Sequence, residues 1–150
     1  MVTEVVELRD VMPTLLELAG LPIPDSCDGR SLVPFLRGAD PPWRSWLHGE
    51  HTLLGQSLQW VTDGRTKFLW ASGTGAEELF DLTHDPGELH NLTSDSRHRE
   101  LLDLWRSRLV EALRGREEGY VADDRLVTGR APVTILRHTR ERLSSQELRR

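Results

Sequence analysis

The stretch SLQWVTDGRTKFLWAS, residues 57–72, decides the fold. Leu58, Trp60 and Thr62 alternate with Gln59 and Val61, a period of two that suits a strand and not a helix. Asp63-Gly64 is a favoured two-residue turn, and Phe68 and Trp70 resume the alternation beyond it. The reading is an antiparallel hairpin. A hairpin alone is marginal in water, so the flanking sequence must supply more strands and a cover for one face.

Downstream, EELFDLTHDPGELHNL, residues 77–92, supplies a third strand at 78–82, after the Gly-rich loop 73–75. Leu79, Phe80 and Leu82 are its apolar residues, with Phe80 and Leu82 on one face. The acids that follow (Asp81, Asp85, Glu88, with Asn91) raise the question of a calcium loop. An EF-hand template started at Asp81 fails at its two informative positions: Pro86 stands where Gly is required, and Leu92 where a bidentate Glu is required. Asp85-Pro86-Gly87 reads instead as a type II turn, with Gly87 at the positive-φ position. A helix at about 96–114 follows, its stripe formed by Leu101, Leu102, Trp105, Leu109, Ala112 and Leu113 and its end by Gly115. Upstream, WLHGEH, residues 46–51, offers a fourth strand. The fold class is therefore α+β, a small antiparallel sheet of three or four strands packed by a C-terminal helix, across residues 46–120.

The first twenty residues obey a different grammar. Val2, Val5, Val6 and Leu8 suggest a short strand, Asp10 an N-cap, and Gly20 a helix end, with Met12, Leu15, Leu16 and Ala19 on one helical face. A strand feeding a helix is the remnant of an α/β domain. Residues 21–45 are rich in Pro, Gly and Asp and read as a connecting segment with a helical turn near Leu32–Leu36. Residues 121–150 are weakly patterned, with a short helix suggested around His138–Leu148.

Composition narrows the function classes. The chain has 150 residues, 37% of them hydrophobic and 29% charged, with a net charge of −5, so bulk electrostatics give no case for a nucleic-acid partner. The C-terminal arginines are interrupted by Glu141 and Glu147, which favours a solvated tail. Cys27 is the one cysteine, which excludes an internal disulfide and a multi-Cys zinc site. No apolar run approaches the roughly 20 residues of a membrane span, and residues 1–9 lack the pattern of a signal peptide. The compartment stays open. The five tryptophans suit packing better than a sugar platform.

Taken in order, VELRDVMPTLLELAGLPIP, DGRSLVPFLRG, VTDGRTKFLW and ELFDLTHDPGELHNL resemble the C-terminal part of a sulfatase, in the alkaline phosphatase superfamily. The resemblance covers roughly residues 2–120. It implies that residues 1–20 are the end of the family's α/β domain and that the partner is the N-terminal catalytic part of a sulfatase. It also implies a sulfated small molecule or sugar as substrate of the complete enzyme. A complete member uses calcium and a formylglycine made within a Cys/Ser-x-Pro-x-Arg motif. Cys27 opens CDGRS, which lacks both the Pro and the Arg, so the nucleophile's role is not carried over. The family's calcium ligands and its Lys and His residues have no matching position either. The expectation is no catalytic residue, no metal ligand and no cofactor in this chain, and a structural or substrate-shaping role.

HGEH, residues 48–51, is the one dense acid–base cluster. On a strand His48 and Glu50 share a face and His51 points opposite. Polar residues at a strand end explain it, and so does the edge of a substrate pocket. On the second reading His51 and Glu50 are the candidate substrate-binding residues. There an imidazole meets an anionic group, and Glu50 holds that imidazole or a substrate hydroxyl. Two rivals remain: the same subdomain of a phosphonate or phosphodiester hydrolase of the superfamily, and a non-catalytic binding module.

Overall fold

The computed structural model describes residues 3–53 and 55–133. The helix expected around His138–Leu148 lies outside them. The chain divides into two compact units, Met1–Leu47 and His48–Arg150.

In the first unit the expected strand is not formed among the described residues. Leu8–Asp10 is a 3-10 turn that runs into helix α1, Val11–Leu18. The cause is Asp10, whose carboxylate accepts the backbone N–H of Glu7 at 2.9 Å while its own N–H bonds the Glu7 carbonyl, closing the chain into a turn. Gly20 ends the helix at φ +70, as its residue type predicts. Asp10 stands at the N-cap position of α1, but its carboxylate makes no capping bond to that helix and serves other partners. It is fully buried and grips Arg44 through two hydrogen bonds of 2.6 and 2.7 Å, and it accepts the backbone N–H of Arg30 at 2.8 Å. Thr14 links α1 to the same segment by accepting the Leu32 N–H at 2.9 Å. Gly29 lies so close to the Arg9 carbonyl that a Cβ would collide with it. The helical turn α2, Val33–Leu36, forms where expected. Residues 21–45 are thus held by one buried carboxylate and close backbone contact, with little apolar burial beyond Val33.

The second unit is a four-stranded antiparallel meander. Strands β1, Leu47–Leu53, β2, Gln56–Thr62, β3, Thr66–Ala71, and β4, Glu77–Asp81, lie in chain order, with β1 and β4 at the edges. Helix α3, Arg99–Leu113, covers one face and presents Trp105, Leu109, Val110 and Leu113 to the core. Two cross-strand rows face it: Val61–Phe68–Leu79 and Gln59–Trp70–Glu77. Arg106 of α3 fixes that orientation by holding Glu77 in a bidentate pair at 2.7 and 2.8 Å. After α3 come the two-residue strands β5, Val121–Ala122, and β6, Arg125–Leu126. No described helix is long and apolar enough to cross a membrane.

Three local expectations shift. Leu79, fully buried opposite Phe68, takes the core face of β4; Phe80 pairs with Lys67 on the other face, and Leu82 lies beyond the strand. The hairpin turn centres on Gly64 and Arg65, one residue later than expected, because the Asp63 carboxylate accepts the N–H groups of Arg65 and Thr66. The turn at Asp85 is closed by the Glu88 N–H to the Asp85 carbonyl. Positive φ falls on Glu88, at 55°, and not on Gly87, so it is not type II. Lys67 secures Glu88 there with bonds of 2.8 and 2.9 Å.

Burial opposes the charge of Asp10, but hydrogen bonds from Arg44 and from the Arg30 and Glu7 backbone outweigh it and lower its pKa from 3.8 to about 2. A depressed carboxyl stabilises the fold above its unfolded pKa and loses that contribution as pH falls through the folded value. The pair should give roughly 2 kcal/mol above about pH 4, lost towards pH 2. Asp10→Ala, which strands a buried guanidinium, should cost the first unit about 3–5 kcal/mol. Amide exchange at Arg30 measures both effects. Unchanged protection of Arg30 in the variant would contradict this role for Asp10.

Candidate functional site

Strand β1 positions the site. Its alternation sends His48 and Glu50 to one face, where both meet Gln59 of β2. Gln59 is fully buried, and its amide is used in full. Its Oε1 lies 2.7 Å from His48 Nε2, and its Nε2 donates to Glu50 at 3.1 Å and to Ser57 Oγ at 2.6 Å. Since an amide oxygen only accepts, His48 carries a proton on Nε2. Between the two polar residues stands Gly49, where a Cβ would collide with the Trp60 indole, so glycine lets β1 close on β2.

The chain beyond α3 completes the cluster. Gly115, at φ +74, releases the chain from the helix, and Arg116 turns back towards β1. Its guanidinium reaches Glu50 at 2.9 Å and Glu118 at 2.8 Å. Burial works against the Arg116 charge, but the Glu118 hydrogen bond and the charges of Glu50 and Glu118 outweigh it and raise its pKa. Tyr120 packs edge-on against Trp70, centroids 5.6 Å apart, and only 1% of it is exposed. A cavity of about 160 Å³ lies among Glu50, Thr52, Ser57, Arg116, Glu118 and Tyr120.

The two candidate substrate-binding residues therefore part company. Glu50 joins the cluster, and its carboxylate engages Gln59 and Arg116 in place of the His51 imidazole. His51 is exposed on the opposite side of the strand. Gln59, Arg116 and Tyr120 were not singled out from the sequence. Gln59 carried the one available signal, a polar residue in phase with Val61 on the core side of a strand.

The acids of residues 81–91 are each engaged separately. Asp81 accepts from the Thr83 N–H and pairs with His84, Asp85 accepts the His90 N–H, and Asn91 accepts the Leu79 N–H. Among the described residues no three His, Cys, Asp or Glu side chains gather in a way that could hold a metal ion. A larger cleft of about 610 Å³ beside α3 has its main charges paired across it, Arg106 with Glu77 and Arg114 with Asp124.

Comparison with known proteins gives a consistent picture. The family model "N-sulphoglucosamine sulphohydrolase, C-terminal" matches residues 1–115. An arylsulfatase of Clostridium perfringens is 44% identical over 137 residues, covering 91% of this chain and 28% of that protein. The solved structure of a 2-O GAG sulfatase superposes with a TM-score of 0.66 at 30% identity, over 74% of this chain and 25% of that one. A phosphonate monoester hydrolase of Agrobacterium radiobacter gives 0.55 at 28% identity, over 68% and 23%. The chain thus spans between 23% and 28% of the length of these relatives.

Gln59→Leu is the direct test of the cluster. It removes the amide while filling the space, leaving Glu50, His48 and Ser57 each short of a partner. A loss of about 1–3 kcal/mol in urea unfolding is expected, with the unfolding slope unchanged. A stability gain would show that the polar contacts are incidental. Calcium titration should show no micromolar site among the acids of 81–91, and a site abolished by Asp85→Ala would contradict the turn reading.

Proposed function

The chain belongs to the sulfatase family, as a C-terminal part of its fold, and from that premise we propose that it is the structural and substrate-shaping end of an enzyme hydrolysing sulfate esters. The observation that carries this reading is the outer face of α1. Val11, Met12, Leu15 and Leu18 are 47–60% exposed in a row, although the sequence pattern marks Met12 and Leu15 as a packing face. Apolar residues grouped in this way signal an interaction surface. Its occupant is the catalytic part of the sulfatase, which makes up most of the relatives' length. Residues 1–20 then close the α/β domain, residues 21–45 connect, and residues 46–120 form the subdomain that borders the substrate.

The chemistry belongs to the rest of that enzyme. The formylglycine nucleophile and the divalent cation of a complete member supply attack on sulfur and charge stabilisation. On this reading the chain's own contribution is to binding. Strand β1 is a sheet edge, and both of its faces can border a pocket. Glu50, fixed by Arg116 and Gln59, keeps lone pairs for a substrate hydroxyl. His51 is free to meet an anionic group outside the reacting sulfate. A phosphonate or phosphodiester substrate is the second reading, favoured by the structural likeness to the phosphonate monoester hydrolase.

In the intact enzyme His51→Ala should raise KM about 5–30-fold and change kcat less, the worth of one charge-assisted hydrogen bond of about 1–2 kcal/mol. Unchanged kinetics on several sulfate esters, with only a lower Tm, would leave His51 a structural residue. The 150-residue chain alone should not hydrolyse an aryl sulfate with calcium present. Turnover that disappears in Cys27→Ala would overturn the assignment of chemistry to the rest of the enzyme.

A further inference from the structure

We infer that the Asn91 side chain stands in for a fifth strand along the outer edge of β4, and that the glycosylation sequon it heads is closed to a glycan whenever the sheet is formed. Asn91-Leu92-Thr93 matches the Asn-x-Ser/Thr acceptor pattern, and Asn91 is exposed. Pattern and exposure together mark an acceptor. The bonds of the carboxamide exclude one. Its Oδ1 accepts the Leu79 N–H at 3.1 Å and the Thr93 N–H at 3.0 Å, and its Nδ2 donates to the Glu77 carbonyl at 3.2 Å. The reverse orientation of the amide would set its nitrogen against two N–H donors and its oxygen against a carbonyl, so the partners fix which atom is which.

These bonds take the place of a strand ladder. Alternate residues of β4 turn their backbone groups away from β3, and an edge strand offers such groups to another chain. On β4 they are occupied. Beside the two bonds from Asn91, the Leu92 N–H bonds the Leu79 carbonyl at 2.9 Å, and the Asp85 N–H bonds the Asp81 carbonyl at 2.8 Å. The loop that carries Asn91 back to β4 is itself held, by Asp85 on the His90 N–H and by Lys67 on Glu88. A glycan needs the same nitrogen. It replaces one hydrogen of Nδ2, and a secondary amide places its substituent on the side of the oxygen, with the remaining hydrogen opposite. The bonds to Leu79 and Glu77 run to one strand edge, so the hydrogen on the oxygen's side is the one that meets Glu77. Sugar and strand therefore compete for one position. Asn91 can take a glycan only on a chain whose β4 edge is unpaired, and a chain so modified loses the bond to Glu77.

Two measurements test this on the 150-residue chain. The first is amide exchange by NMR. Asn91→Asp keeps the size of the side chain and an acceptor for Leu79, but sets an oxygen against the Glu77 carbonyl. Exchange of the Leu79 amide should quicken about 5–10-fold, the worth of one hydrogen bond, while Phe80, which pairs with Lys67 of β3, exchanges as before. The second is glycosylation. An oligosaccharyltransferase supplied with its lipid-linked oligosaccharide should modify a peptide of residues 86–98 and leave Asn91 of the folded chain unmodified. Equal exchange at Leu79 in Asn91→Asp and the parent would overturn the inference. So would a glycan on Asn91 in a chain whose Leu79 amide stays protected.

Discussion

Gln59 sits in the middle of β2 with no exposed surface, and an amide in that position has to find partners for both of its ends. It finds them on β1, in His48 and Glu50, and within its own strand, in Ser57. The consequences spread outward. Strand β1 is fixed with His48 and Glu50 turned towards the helix side of the sheet, and a one-residue slip would exchange both for Gly49 and His51. Glu50, held in place, anchors Arg116, and Arg116 brings the chain after α3 back across the sheet. An apolar residue at position 59 would pack as well against Trp70, but it would specify neither the register of β1 nor the return of residues 116–120.

The first unit depends on a comparable device made with a full charge. The Asp10–Arg44 pair is excluded from water on the carboxylate side, and Arg44 also lies over the Trp43 ring, 4.8 Å from its centroid. Trp43 in turn donates to the Val5 carbonyl and meets Phe35 edge-on. The pair ties Asp10, Arg30 and Arg44, far apart in the chain, into one arrangement. That suits a segment with few apolar residues to bury and an apolar helix face turned outward. In both units a polar group with demanding geometry sets the placement of the chain around it.

The distinction explains which features were legible in the sequence. Periodicity gave the meander, the covering helix and the opposite orientations of Glu50 and His51, since these follow from where apolar residues recur. The sequence left the core face of β4 open because Leu79 and Phe80 are adjacent and both apolar, and the pairing of Leu79 with Phe68 separates them. The hairpin turn was displaced by one residue because the Asp63 carboxylate takes up bonds that residue preferences do not encode, and in the Asp85 turn the positive φ expected at Gly87 falls on Glu88, which Lys67 holds. Asp10 holds the N-cap position expected of it but makes no side-chain capping bond to α1, and its partners Arg30 and Arg44 lie 20 and 34 residues further along. Glu50 meets Arg116 across 66 residues. Contacts of that range leave no local pattern, and the candidate site consists largely of them.

The claim that these locked polar contacts present a substrate-facing edge in the complete sulfatase can be measured most directly by hydrogen–deuterium exchange. The intact enzyme would be compared with and without a slowly hydrolysed sulfated glycoside. Exchange should slow on binding at residues 48–52 and 116–120, with β3 and β4 unaffected. Protection confined to the catalytic remainder, with residues 48–52 and 116–120 exchanging at the same rate in both states, would contradict it.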